Sequence, residues 1–409
     1  MKQLLKKTMI AASCASFLFL SACNDDDKDL VITPPATQHY VGEKPYTLAQ
    51  MEGAASVSIM TYRMDNVQNK KADATALVFF PKTAQPKDGW RVVVWEHGTV
   101  GSGDSCAPSN NPFNANFKNM AVSLLAAGYV IVAPDYEGLG TPGIHPYLNL
   151  GSAAKSAQYA IKATKEKYAD RINGAWMSVG QSQGGHASLA TAEYANGDAS
   201  YKGGVAGAPA SSLGVIISEI APVAIKQLWD NNQKEMAIGV YSELLSYAAY
   251  TTLGMKAIDP KYNYQGLFET RSALVAEYAE GSTGENGECL VPLRDRFAKD
   301  IMAFLAANPE KTVMDYPALK AGFQDDPVVK KFLADNQPGT KKINAPVMII
   351  QGKLDEAVPF IVTEKMQEAM KKMGTDVTFV PVEGATHTQA IVQKNDTLVK
   401  FIQEKMPAK

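Results

Sequence analysis

The six residues Gly180-Gln181-Ser182-Gln183-Gly184-Gly185 decide how this chain is read. An apolar run, Ala175-Trp176-Met177-Ser178-Val179, leads in, and small helix-compatible residues, Ala187-Ser188-Leu189-Ala190-Thr191-Ala192, lead out. The order is strand, tight turn, helix. A serine held at such a turn has its hydroxyl pushed out of the sheet, and glycines on both flanks let backbone pass close by without side-chain clashes. The N–H of Gln183, at the opening of the helix, is placed to receive the negative charge of a tetrahedral intermediate. Ser182 is the candidate nucleophile.

Working outward, the same alternation recurs on both sides. Ser56 to Met60 and Ala74 to Phe80 read as strands, and Trp90-Arg91-Val92-Val93-Val94-Trp95 as a stronger one ending at Glu96-His97-Gly98-Thr99. A helix over Phe117 to Ala127 closes at Gly128, Tyr129 to Pro134 is a buried-looking strand, and Gly151 to Tyr168 carries helical periodicity. Val205 to Ala208 is the next short strand. From about Ser211 to Lys342 the alternation breaks into helix and loop, too long for a plain connection, and this predicts an inserted helical cap. Within it Met236 to Met255 is apolar apart from Glu243; its Gly, Ser, Thr and Tyr content favours a helix buried in the cap over a membrane span. The sheet pattern returns at Pro346 to Ile350, followed by a helix over Ile361 to Met373, a strand over Val377 to Val382 and a helix over Ala390 to Lys405. Continuous apolar strands alternating with helices predict an α/β fold, a mostly parallel sheet covered on both faces, with core segments 46–210 and 343–409 flanking a cap at 211–342. Gly138, Gly140 and Gly143 spell a dinucleotide-binding pattern, but Pro142 and Pro146 stop a helix opening there and no acidic residue follows at the required distance, so the stretch is a loop.

In 409 residues, 46% hydrophobic and 20% charged residues are the proportions of a globular protein with a real core, and a net charge of −2 with no Lys/Arg block argues against nucleic acid as a partner. The N-terminus reads as an export address. Lys2, Lys6 and Lys7 precede an apolar run from Met9 to Leu20, then Leu20-Ser21-Ala22-Cys23, the ending of a lipoprotein signal over 1–23. Cys23 would carry the acyl chains that hold the protein at a membrane, with residues 24–45, polar and containing Pro34, Pro35 and Pro45, as linker. The exported body would keep Cys106 and Cys289, a pair able to oxidise in that compartment. No metal-binding spacing is present, and no cofactor is implied.

A serine hydroxyl needs a base, and the base a carboxylate to hold its tautomer. Of five histidines, His39 falls in the linker, His145 in a Pro/Gly loop, His97 at a strand end, and His186 too close behind the nucleophile; His387, between the last strand and the last helix, is the candidate base. Asp355 and Glu356 both follow the strand ending at Ile350, at a carboxyl end of the sheet; Asp355 comes first and is the candidate acid. The order Ser182, Asp355, His387 is that of the α/β-hydrolases. Each residue has an ordinary use as helix cap, turn former or loop residue, but all three at strand ends in that order do not. A second oxyanion donor is expected from the loop after Trp95: the N–H of Thr99, with Gly98 as the alternative and His97 structural. Asp104 and Ser105 are further pocket candidates.

With these residues in place the chain resembles the secretory lipase family, which includes the fungal lipase A type. The likeness is carried by Pro134-Asp135-Tyr136-Glu137-Gly138, the stretch around Ser182, Gly352-Lys353-Leu354-Asp355-Glu356-Ala357-Val358-Pro359, and Cys106-Ala107-Pro108-Ser109. It runs from about residue 45 to the C-terminus. The resemblance implies an α/β-hydrolase core with a helical cap, hydrolysis of carboxylic esters and acylglycerols, and a disulfide between Cys106 and the cap cysteine, Cys289. The chain departs from that pattern in its bacterial lipoprotein start and in His-Gly-Thr at the oxyanion loop. Two other functions compete with an ester hydrolase: an exported serine peptidase using the same triad, and a non-catalytic surface lipoprotein that keeps the fold for binding.

Overall fold

A computed structural model describes residues 38–408. Among the described residues nine strands form one sheet: β1 (Tyr40–Pro45), β2 (Ala54–Asp65), β3 (Lys71–Pro81), β4 (Trp90–Glu96), β5 (Val130–Pro134), β6 (Ile172–Gln181), β7 (Tyr201–Gly207), β8 (Val347–Gly352) and β9 (Val377–Val382), in the spatial order β1-β2-β3-β5-β4-β6-β7-β8-β9. The first three strands and the β3–β5 pair are antiparallel, whereas β5, β4, β6, β7, β8 and β9 run parallel. Every residue of β5 and of β8 is buried, as the continuous apolar runs require for strands covered on both faces.

The two faces have separate cores. On one, α1 (Ala115–Ala126) and the C-terminal helix pack Phe117, Met120, Leu398 and Phe401 against Leu77, Val93 and Ile131. On the other, α2 (Leu150–Lys167) and α3 (Gln183–Tyr194) pack Ala157, Ile161 and Leu189 against Val92, Val94 and Trp176. Local sequence sets the helix ends. The Asn114 side chain accepts from the N–H groups of Asn116 and Phe117 to cap α1, and Gly128, at φ 88°, takes the left-handed position after it.

Between β7 and β8 the named elements are helical, the longest being α4 (Lys234–Ile258) and α5 (Leu290–Ala307), around an apolar cluster of their own that includes Tyr250, Leu253, Phe268 and Phe297. None of the described helices is long and apolar enough to cross a membrane; α4, which contains the apolar stretch, buries Leu245, Tyr250 and Leu253 in that cluster. After β8 come α6 (Phe360–Lys372), α7 (Gln389–Gln393) and α8 (Asn395–Lys405). The last two replace the single helix expected over 390–405, with a break at Lys394.

One boundary is corrected. The linker expected over 24–45 gives way to structure: Tyr40–Pro45 is β1, paired with β2 from Tyr40↔Tyr62 to Pro45↔Ser58, and the ring of His39 meets Tyr159 edge-on at 4.9 Å. It is an edge strand with only Tyr40 and Gly42 half-buried, so backbone pairing rather than hydrophobic patterning holds it. Cys23 and residues 24–37 lie outside the described residues.

The loop after β4 is tied to the segment that opens α5. Cys106 and Cys289 are disulfide-bonded across 183 residues of sequence. Leu290 N–H donates to Val100 O at 2.8 Å, Asp104 N–H donates to Glu285 O at 2.7 Å, and Gly101 forms a bridge with Cys289. A Cβ at Gly101 would lie 2.5 Å from the Cys289 Cα, so only glycine fits. Because the crosslink closes so long a loop, reduction or Cys289→Ser is expected to destabilise the fold by about 2–5 kcal/mol. Thermal unfolding should show a lower midpoint for the reduced wild type and no response to reductant in Cys289→Ser.

Candidate active site

Ser182 joins β6 to α3 with φ 61° and ψ −117°, a conformation that side-chain-bearing residues rarely adopt and that its surroundings must impose. Close backbone packing does so. A Cβ on Gly180 would sit 2.0 Å from Gly184 O, and one on Gly184 would sit 1.8 Å from Glu96 O, at the end of β4. A Cβ on Gly98 would meet the Gln181 side chain at 3.1 Å. The glycines thus bring the ends of β4 and β6 and the start of α3 into contact.

Three expected residues from separate strand ends meet here. The Ser182 hydroxyl donates to His387 Nε2 at 2.8 Å, and His387 Nδ1–H donates to Asp355 Oδ2 at 2.8 Å. Asp355 has a fully buried side chain and also accepts from the N–H groups of Ala357 (2.9 Å) and Val358 (2.8 Å) and from Gln351 Nε2 (2.8 Å). Gln351 is itself fixed, donating to Val358 O and accepting from Thr363 Oγ1 at 2.8 Å. Glu356 is exposed and outside this network. Gln181 Nε2 donates to His387 O at 3.2 Å, holding the histidine loop against the serine turn. This bonding fixes one imidazole tautomer, proton on Nδ1 and lone pair toward Ser182.

Among the described residues, neither the Thr99 N–H nor the Gln183 N–H donates to a backbone carbonyl, and Thr99 lines the same cavity as Ser182. The Thr99 hydroxyl bonds the Tyr147 hydroxyl at 2.7 Å. His97 is buried and structural: its ring nitrogens face Gly98 O and Asp135 O, it packs on Tyr136, and burial lowers its pKa. Asp104 and Ser105 are not among the residues lining the cavity. No group of three or more His, Cys, Asp or Glu placed to hold a metal occurs among the described residues.

The cavity has a volume of about 640 Å³, within the range of small-molecule sites. Among the described residues lining it are Ser182, His387, Trp95, Phe117 and Met120 of α1, Glu243 and Tyr247 of α4, and Leu290 and Val291 of α5. Sequence reasoning passed over Gln351 and Tyr147, which carry no motif, and over the placement of Glu243.

His145, which the sequence marks only as a residue of a Pro/Gly loop, also has a partner at the serine turn. The ring is buried; Nδ1–H donates to Glu137 O at 2.8 Å and Nε2 accepts from Gln183 Nε2 at 2.9 Å. His145 therefore holds the side chain of Gln183, the residue that follows Ser182.

The family described as TAP-like protein matches residues 325–404, the stretch that holds Asp355 and His387. No curated protein matches the sequence significantly. Similar solved structures include a protein of Legionella pneumophila (TM-score 0.66, 17% identity, 90% of this chain and 98% of that one). They also include a mutant form of the rice cell wall degrading esterase LipA of Xanthomonas oryzae (TM-score 0.64, 18% identity, 91% and 99%). A third is Candida antarctica lipase A in its closed state (TM-score 0.65, 17% identity, 90% and 81%). With the sheet order and the helices on both faces, they define the fold as that of the α/β-hydrolases.

Burial lowers the His145 pKa from 6.5 to about 4. The unfolded chain therefore takes up a proton near pH 6.5 that the folded chain refuses until about pH 4; the neutral ring's contribution is whole above 6.5 and is lost as pH falls toward 4. The stability advantage of wild type over His145→Gln should shrink by about 3 kcal/mol across that window. Urea unfolding at a series of pH values measures it.

Proposed function

We propose that the chain is a serine hydrolase of carboxylic esters, acting through an acyl-enzyme on acylglycerols or other acyl esters. The observation that carries this reading is the unbroken relay from the Ser182 hydroxyl through His387 to buried Asp355, opening on a cavity that runs along Trp95, Phe117 and Met120. Ser182 Oγ attacks the acyl carbon while His387 Nε2 takes its proton, and Asp355 stabilises the imidazolium. The oxyanion is received by the N–H groups of Gln183 and Thr99. His387 returns the proton to the departing alkoxide, which leaves as the alcohol. Water then attacks the acyl-enzyme with His387 again as base, and the acid and free Ser182 are released. The side-chain wall of Trp95, Phe117 and Met120 suits an apolar portion of the ester.

The reading extends to location: residues 1–23 direct export, Cys23 is acylated, and the catalytic body is held at a membrane surface by the segment that follows. Cys23→Ser should move the protein from the membrane fraction to the soluble one. Ester hydrolysis is tested with p-nitrophenyl esters from acetate to palmitate. Wild type should turn over part of the series, Ser182→Ala should lose more than about 10⁴-fold in kcat, and Asp355→Asn about 10³–10⁴-fold. Correctly folded protein that cleaves no ester would overturn the assignment.

A further inference from the structure

The charge distribution around the cavity is one-sided. Among the described residues its lining contains no Lys, Arg or Asp, and its one carboxylate is Glu243 of α4. Tyr247, one turn on, donates its hydroxyl to Glu243 Oε1 at 2.5 Å, and no hydrogen bond to the second oxygen is formed among the described residues. Glu243 takes part in no ion pair among the described residues, in contrast to nearby Glu280 and Glu288, each paired with a Lys or an Arg. It is half-buried, in a helix whose stretch from Met236 to Met255 is otherwise uncharged. A carboxylate on the cavity wall with one oxygen left without a hydrogen bond among the described residues offers a positively charged group an anionic partner. An aromatic ring completes the setting, since Tyr247, bonded to Glu243, lines the same space and π faces attract cations.

The Tyr247 hydroxyl stays protonated, through burial first and then through the neighbouring Glu243, with a smaller contribution from Asp355.

We infer that the site selects esters carrying a fixed positive charge, an alkylammonium group within a few bonds of the acyl carbon, received by Glu243 beside the Tyr247 ring. This rests on the ester-hydrolase reading and names the substrate class for it. The ammonium can belong to the leaving alcohol or to the acyl group, and the two sources separate experimentally.

Two isosteric pairs isolate the charge. Butyrylcholine is compared with dimethylbutyl butyrate, its uncharged carbon isostere, and the ethyl ester of trimethylammoniobutyrate with that of its own carbon isostere. The ratio of kcat/KM, cationic over neutral, is measured for wild type and Glu243→Gln, which keeps a hydrogen-bond acceptor for Tyr247. We expect a wild-type ratio of about tenfold in one pair, falling to near one in the variant. The responding pair tells whether the alcohol or the acyl group carries the charge. Ratios equal in the two proteins overturn the inference. If wild type hydrolyses no ester at all, the functional reading fails, and calorimetric binding of phenyltrimethylammonium decides the inference alone: affinity roughly tenfold weaker in Glu243→Gln sustains it, and equal affinity ends it.

Discussion

The structure depends on backbone meeting backbone where side chains are absent. With 1.8 Å between a would-be Cβ at Gly184 and Glu96 O, and 2.0 Å between one at Gly180 and Gly184 O, any side chain would force β4, β6 and α3 apart. The contact does two things together. It holds Ser182 in its unusual conformation, and it brings the loop after β4 alongside the serine turn, so that Thr99, Gln181 and Ser182 border one cavity. Strain of order 1–3 kcal/mol at one residue is tolerated because the sheet on one side and α3 on the other leave it no alternative.

Around that contact, polarity is arranged in layers. The fully buried Asp355 side chain would be costly as an anion, but two backbone N–H groups, the Gln351 amide and the His387 N–H all donate to it. Gln351 is held in turn by Thr363 from α6, so the orientation of the acid is set by a helix beyond the site. His145 does the same on the other side, locking the Gln183 side chain. Burial disfavours its charged form, so it remains an acceptor at neutral pH.

Much of this was legible in the sequence because each decisive feature was local. Gly-x-Ser-x-Gly between an apolar run and a helix announces its own geometry, and strand-end positions in the order Ser182, Asp355, His387 needed only the alternation of elements to be noticed. What escaped was set by tertiary contact. β1 is an edge strand with little buried surface, so nothing in Tyr40–Pro45 marked it. His145 lies 38 residues from Gln183 in a loop rich in Pro and Gly, and its partner follows from where that loop folds back. Gln351 is the penultimate residue of an ordinary buried strand. Glu243 is the instructive case: its isolation in an apolar stretch was visible, but whether it faced solvent, an ion partner or the cavity depended on how α4 sits over the serine.

The disulfide and the bridge at Gly101 bear on that placement. They join the loop carrying Thr99 to the start of α5, whose Leu290 and Val291 line the cavity beside Glu243 and Tyr247 of α4. The loop that carries Thr99 and this wall are therefore parts of one crosslinked unit, while Ser182 and His387 follow β6 and β9 of the sheet. Glu243 is the one carboxylate among the described lining residues, and Phe117 and Met120 of α1 offer apolar surface in the same cavity. One carboxylate and a set of apolar side chains around the same nucleophile give an ester two ends to match.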